Sequence, residues 1–200
     1  MDAAALRARM GHLPAGLLEH IDRVVAEARR LAPRYGIDPE RAALAAQAHD
    51  VARALPPAEL LRLARELAVP TDEVDRAVPV LLHGPVGARL LERDYGVTDP
   101  EVLAAARSHT TGSPEMSPLE KLVFVADKIE PEKLRRRERL GEVRRLAEEG
   151  DLDGALLAYL DGQLLEAAAR GWLLHPLEVH TRNRLLRERA PLGEPREAEA

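Results

Sequence analysis

Apolar residues recur at helical spacing from one end of the chain to the other. Behind Pro14, a first-turn residue, Leu17, Ile21, Val24, Ala28 and Leu31 form one stripe, and Gly36 punctuates its exit. Asp38 reads as an N-cap with Pro39 at the first helical position, opening a helix to about Asp50. Pro56-Pro57 breaks the chain before a stripe of Leu60, Leu61, Ala64 and Leu67. Thr71 starts a helix carrying Val74, Val78, Leu81 and Leu82, interrupted or kinked at Pro79. His83-Gly84-Pro85 reads as a tight corner into a helix ending near Gly96. Asp99-Pro100-Glu101 begins the next, which stops at Thr110-Thr111-Gly112. Ser117 and Glu120 make a capping box ahead of Leu119, Leu122, Val123 and Ala126. A charged stretch, 130–149, precedes two more helices at about 151–170 and 177–189. With no internal repeat and no long linker, the pattern predicts one domain over 10–190 and a flexible tail over 191–200.

Composition sharpens the fold class. The 46% apolar fraction is mostly Leu, Ala and Val, with one Phe, one Trp and three Tyr, which favours helices and starves a sheet. The expectation is all-α. Charged residues make up 32% of the chain and the formal net charge is −5, which disfavours a nucleic-acid partner. The absence of Cys removes disulfides, thiolate metal sites and thiol catalysis together. A metal site would have to use imidazole and carboxylate, ligands that suit iron, manganese, zinc or cobalt. No apolar run approaches the roughly 20 residues of a membrane span, and Arg7 and Arg9 interrupt the short apolar N-terminus. The expected location is cytoplasmic, with no membrane partner.

The placement of the histidines changes the picture most. His20 lies inside the first apolar stripe, His49 on the small-residue face of its helix, and His109 follows Val102 and Ala106 at helical spacing. His83 follows Leu82 at the end of a stripe, and Asp127 comes four residues after Val123 on the most apolar helix. With Asp50, these side chains face an apolar interior where Lys and Arg partners are scarce, so unpaired carboxylates would be costly to bury. One divalent cation, or two, would balance that charge and accept the imidazole lone pairs. A lone His on an apolar face is more often a hydrogen-bonded core residue; six such candidates together outweigh that reading. Neighbours such as His49 and Asp50 diverge by about 100° on a helix, so one can serve one ion while the other reaches a second.

At these residues the order His20, His49-Asp50, Asp127 resembles the HD-domain superfamily of helical metal-dependent phosphohydrolases. The strings HIDRV from His20, AHDVAR from Ala48, LHGPVGA from Leu82, SHTTG from Ser108 and VADKIEP from Val125 are similar to the YqeK family, bacterial symmetrical bis(5'-nucleosyl)-tetraphosphatases. The resemblance implies an HD-type helical bundle with a buried binuclear centre, typically iron. His20, His49, Asp50 and Asp127 would hold one ion, and His83 and His109 the second, with Asp50 bridging. It implies symmetric hydrolysis of a dinucleoside polyphosphate, diadenosine tetraphosphate, to two ADP. Asp50 and Arg53 would be catalytic, and a cation from Arg53 or Arg23 would steady the leaving ADP. Thr110 and Thr111 can close a turn or donate to a phosphate. Two positions depart from the family pattern: Arg53 stands where Lys is usual, and Lys133 with Leu134-Arg135-Arg136-Arg137 replaces an Arg and an aromatic-Pro-Gly turn. Lys133 is the substrate contact expected there.

Other features carry less. The arginines from Arg135 to Arg145 read as a solvated face paired with Glu138, Glu142 and Glu148. His12 and His175 read as structural or exposed, the string His180-Thr181-Arg182-Asn183 resembles a C-terminal family element, and there is no P-loop. The competing functions are another HD-type nucleotide phosphatase or phosphodiesterase, and a non-catalytic nucleotide-binding adaptor. A homodimer is left open.

Overall fold

A computed structural model of the chain describes residues 1–189, all of its regular structure being helical. The expected tail, 191–200, lies outside the described residues. In order the helices are α1 (Ala3–Arg9), α2 (Ala15–Leu31), α3 (Pro39–Ala48), α4 (Pro57–Glu66), α5 (Glu73–Ala77) and α6 (His83–Tyr95). They continue as α7 (Pro100–Ser108), α8 (Pro118–Ile129), α9 (Pro131–Arg136), α10 (Leu140–Glu149), α11 (Leu152–Arg170) and α12 (Pro176–Arg189). Short 3-10 turns at Ala32–Tyr35 and Pro79–Leu82 join them. No described helix is long and apolar enough to cross a membrane.

The capping chemistry read from the sequence sets the helix starts. Asp38 and Asp99 accept the first-turn amides of α3 and α7, and Ser117 with Glu120 closes a full capping box on α8. The centre of the bundle is α8, whose Leu122, Val123, Phe124, Val125, Ala126 and Ile129 are fully buried. Helices α2, α3, α7, α10 and α11 pack around it. Because α3 and α7 face it with alanines (Ala42, Ala45, Ala46, Ala105, Ala106), their backbones come close to α8 and to each other.

Three local readings need correction. First, α1 was not predicted, yet its Leu6 and the adjacent Met10 are fully buried in the same core, ahead of the expected start at residue 10. Second, His83 does not end a helix, and His83-Gly84-Pro85 is not a corner. The break falls at Pro79, where an interruption was expected, in the 3-10 turn after Val78, and His83 is the first residue of α6. Pro85 is tolerated because it lies in the first turn, where no backbone N–H has an intrahelical partner. Third, the charged stretch 130–149 is two helices, α9 and α10, the second presenting Leu140, Val143 and Ala147 to the core.

Candidate metal centre

Most of the predicted ligands sit where helices begin or end. His20 comes from the first half of α2, while His49 caps the C-terminus of α3 and Asp50 follows it. His83 opens α6, His109 caps the C-terminus of α7, and Asp127 lies two residues before the end of α8. Small residues permit this convergence. A Cβ on Gly84 would lie 2.8 Å from the Arg107 carbonyl oxygen and 2.9 Å from that of Ala106, so only glycine lets α6 rest on the end of α7. That contact brings His83 Nε2 within 2.9 Å of His109 Nε2.

Each imidazole is oriented by its second nitrogen. Nδ1 of His49 lies 2.6 Å from the Ala46 carbonyl and Nδ1 of His109 lies 2.8 Å from that of Ala106. His83 makes the same contact with Val80. A carbonyl can only accept, so in each ring Nδ1–H donates and Nε2 keeps a lone pair directed into the cluster. The outer partner of His20 is a carboxylate, with Glu130 Oε1 3.5 Å from its Nδ1. Asp50 then divides the four rings into two pairs. Its Oδ2 lies 3.7 Å from His20 Nε2 and 3.4 Å from His49 Nε2. Its Oδ1 lies 3.1 Å from His83 Nε2 and 3.3 Å from His109 Nε2. Asp127 Oδ1 completes the first pair, 3.0 Å from His20 Nε2 and 3.7 Å from His49 Nε2.

The donor set fits divalent cations. Donor atoms of His20, His49 and Asp50 lie within 4.8 Å of one another, as do those of Asp50, His83 and His109. His49 Nε2 is buried without a hydrogen-bond partner, a cost that a coordinated cation removes. His83 and His109 point two lone-pair nitrogens at each other, an arrangement that only a proton or a cation between them makes favourable. Burial lowers His109 to about 4, and its contact with Asp50 only partly offsets this, so the ring is neutral at pH 7. Burial would raise both carboxyls, but the cluster overrides it. His49, His109 and His83 hold Asp50 well below the usual carboxylate value, and Lys128, Lys133 and His20 do the same for Asp127.

Asp127 corrects the expectation that Lys partners are scarce. Lys128 Nζ, on a buried side chain, lies 2.6 Å from Asp127 Oδ2 and 3.1 Å from the His109 carbonyl, and Lys133 pairs with Asp127 Oδ1. Spacing on one helix did not reveal Lys128, because an adjacent residue ordinarily points away; here its long stem folds back. Arg23 is likewise engaged, donating from Nε to Glu130 Oε2 at 2.6 Å. Sequence reasoning assigned Glu130 no role. Only 1% exposed, it links Arg23, His20 and the first amides of α9. Its signal was a carboxylate immediately before Pro131, an N-cap position, and each of its oxygens takes an α9 amide together with an inward partner.

The centre opens to solvent through a cleft of about 200 Å³ lined by Arg53, Val80, Leu81, Thr110, Lys128 and Lys133. Arg53 is exposed and makes no ion pair among the described residues. Thr110 Oγ1 lies 3.2 Å from His83 Nε2 and 3.1 Å from His109 Nε2. Thr111 faces the other way, its hydroxyl donating to the Gly112 carbonyl at 3.3 Å, and lines a separate cavity. His12 is exposed in the turn that follows α1, whereas His175 is buried against Asp72 and Asp75. In the Arg-rich segment Arg139, Arg144 and Arg145 pair with Glu166, Glu148, Glu142 and Glu149, as a solvated face would. Asn183 Oδ1 accepts from Arg182 Nη1 at 3.4 Å.

A family model of the HD domain matches residues 17–132, which contain all six residues of the cluster. The symmetrical bis(5'-nucleosyl)-tetraphosphatase of Bacillus subtilis (strain 168) is 42% identical over 138 residues, 69% of this chain and 72% of that protein. The protein of the same name from Halalkalibacterium halodurans is 36% identical over 184 residues, covering 92% of this chain and 96% of its own length. A crystal structure from Clostridium acetobutylicum, titled a predicted HD superfamily hydrolase involved in NAD metabolism, superposes with a TM-score of 0.86 at 34% identity. It covers 92% of this chain and 96% of that one.

Proposed function

Because the chain belongs to the HD domain family, and within it to the YqeK family of symmetrical bis(5'-nucleosyl)-tetraphosphatases, we propose that it hydrolyses diadenosine tetraphosphate at the central bridge to two ADP. The observation that carries this reading is the split of Asp50. One carboxylate oxygen faces His20 and His49 and the other faces His83 and His109, the layout that lets one residue serve two ions.

In this reading His20, His49, Asp50 and Asp127 hold one divalent ion, and Asp50, His83 and His109 the other. Iron is the ion we assign, since the resemblance implies it and imidazole with carboxylate accommodates it. Such a pair, when bound, supplies an ionised water at neutral pH and spreads the charge of the phosphoryl oxygens. The remaining work falls to the chain. The Ala46, Val80 and Ala106 carbonyls fix the rings so that Nε2, not Nδ1, faces the reaction. Lys128 and Lys133 hold Asp127 as an anion and keep its oxygens from rotating. Arg53 and Thr110 offer donors to phosphoryl oxygens at the mouth of the cleft. Hydrolysis adds one water across the central P–O–P bridge. The departing ADP leaves as an anion whose terminal oxygen needs no proton at pH 7, and a guanidinium at Arg53 offsets its growing charge. Arg23 acts one step back, through Glu130 and His20, as a positioning residue.

The test is product analysis with metal-loaded protein. Diadenosine tetraphosphate gives ADP alone; ATP with AMP refutes symmetric cleavage, and binding without turnover refutes the enzyme reading.

A further inference from the structure

The cavity that Thr111 faces has a volume of about 500 Å³, within the roughly 300–1,000 Å³ of small-molecule sites. It lies between the loop before α5, the start of α6, the Ser108–Ser113 segment and the N-terminus of α12. Its walls include Val69, Pro70, Leu81, Pro85, Pro176 and Leu177. Its inner polar groups are already satisfied. The Ser108 hydroxyl shares its one proton between two acceptors, the Ala104 carbonyl at 3.0 Å and Glu120 Oε1 at 2.9 Å. His175 accepts the Leu177 amide on Nδ1 at 3.1 Å, and its Nε2 sits 3.4 Å from both Asp72 Oδ2 and Asp75 Oδ1. That ring is a strut between α12 and α5, not a free ligand. What remains for a guest is the space between the apolar walls, with polar side chains around it.

Two features tie this slot to the metal cleft. Leu81 lines both spaces. The Ser108-His109-Thr110-Thr111 segment divides between them, His109 and Thr110 lining the metal cleft and Ser108 and Thr111 the slot. Gly112, at φ +73, lets this segment lie against α12, where a Cβ would come 2.8 Å from Thr181 Oγ1. At the rim stands Arg107, exposed and without an ion pair among the described residues. A nucleotide half of the substrate has its nucleoside two phosphates from the scissile bridge. The base must therefore be housed beside the metal cleft, next to a cation that can meet the phosphate between them.

We infer that this slot is a nucleoside subsite, holding the base of one half of the dinucleotide between its apolar walls, with Arg107 on the phosphate nearest the ribose. The inference rests on the proposed dinucleotide substrate, but its test does not depend on turnover. Leu177 and Pro70 are exposed residues on different segments of the wall, so Leu177→Arg and Pro70→Arg each put a long charged side chain into the slot. Binding of ADP and of inorganic tripolyphosphate to the metal-loaded protein is measured by titration calorimetry, alongside thermal unfolding. Either folded variant loses ADP affinity by about tenfold or more, the scale of one lost set of apolar contacts, while tripolyphosphate binding shifts less than about twofold. Arg107→Ala weakens ADP as well. Leu165→Arg, on an exposed side chain remote from the slot, changes neither ligand. ADP bound equally by the unsubstituted protein and both wall variants overturns the subsite, as does no ADP binding at all. Failure of the unsubstituted protein to cleave the dinucleotide would instead count against the proposed function, leaving the ADP comparison to decide the slot.

Discussion

Gly84→Ala tests whether the approach of two helices builds half of the centre. The new methyl would sit 2.8 Å and 2.9 Å from two carbonyl oxygens of α7, where ordinary contact starts at 3.4 Å. Both obstacles are backbone, so side-chain rotation gives no relief, and the start of α6 must lift by roughly half an ångström. His83 moves with it, although its Nε2 is placed 3.1 Å from Asp50 Oδ1 and 2.9 Å from His109 Nε2. Overpacking of this kind costs about 1–3 kcal/mol, which at about 2–4 °C per kcal/mol lowers Tm by about 2–12 °C. Metal analysis of protein purified without chelator should show loss of up to about one ion per chain. The Asp50–His83–His109 set is spoiled, whereas His20, His49 and Asp127 stay in place. Turnover should fall with it. Gly87→Ala is the control, because its Cβ meets the Val51 Cγ1 methyl at 3.2 Å, a side chain that can turn aside. Gly84→Ala protein with unchanged Tm, metal content and rate would refute this account of the close approach.

Asp50→Ala removes the carboxylate shared by both donor sets and should abolish turnover with a sharp loss of metal, while His12→Ala does neither; equal metal and activity in the two variants would contradict the assignment. Arg53→Ala should lower kcat/KM by about 10- to 150-fold, the range of one charged hydrogen bond of about 1.5–3 kcal/mol, with metal content intact. Loss of metal instead would make Arg53 structural. Asp99 accepts from Arg41 at 2.8 Å and 2.9 Å and caps α7, and chiefly the Arg41 bond holds its carboxyl below the ordinary 3.8. Its contribution is therefore fully present above pH 3.8 and lost as pH falls through the lower folded value. Asp99→Ala should cost about 1–2 kcal/mol at pH 7 by chemical denaturation, with the gap to the unsubstituted protein closing in acid. A gap that widens in acid would reverse the sign of that linkage.

Much of this was legible along the chain because it is local chemistry. Asp38, Asp99 and Ser117 announce helix starts through their own side chains, and the structure finds each of them capping. The six residues of the cluster were legible as imidazoles and carboxylates on apolar faces. His83 was misplaced within its element because Gly84-Pro85 reads as a second break after Pro79, whereas a proline in the first turn of a helix does not end it. Glu130 and Lys128 were missed for a different reason. Their roles depend on the direction of a flexible stem, and a buried carboxylate or ammonium looks in sequence like any charge near a helix end.

What the sequence alone determined is the inventory and the period: helices with apolar stripes, no thiols, and hard and borderline ligands spaced along them. Those follow from side-chain chemistry and the 3.6-residue repeat, which act within a few residues. Only the tertiary structure decided the pairing of Asp50's two oxygens, the contact of Gly84 with α7, and the slot behind the Ser108–Ser113 segment. Each depends on distances between residues far apart in the chain, and those distances are set by how closely alanine- and glycine-faced helices can pack.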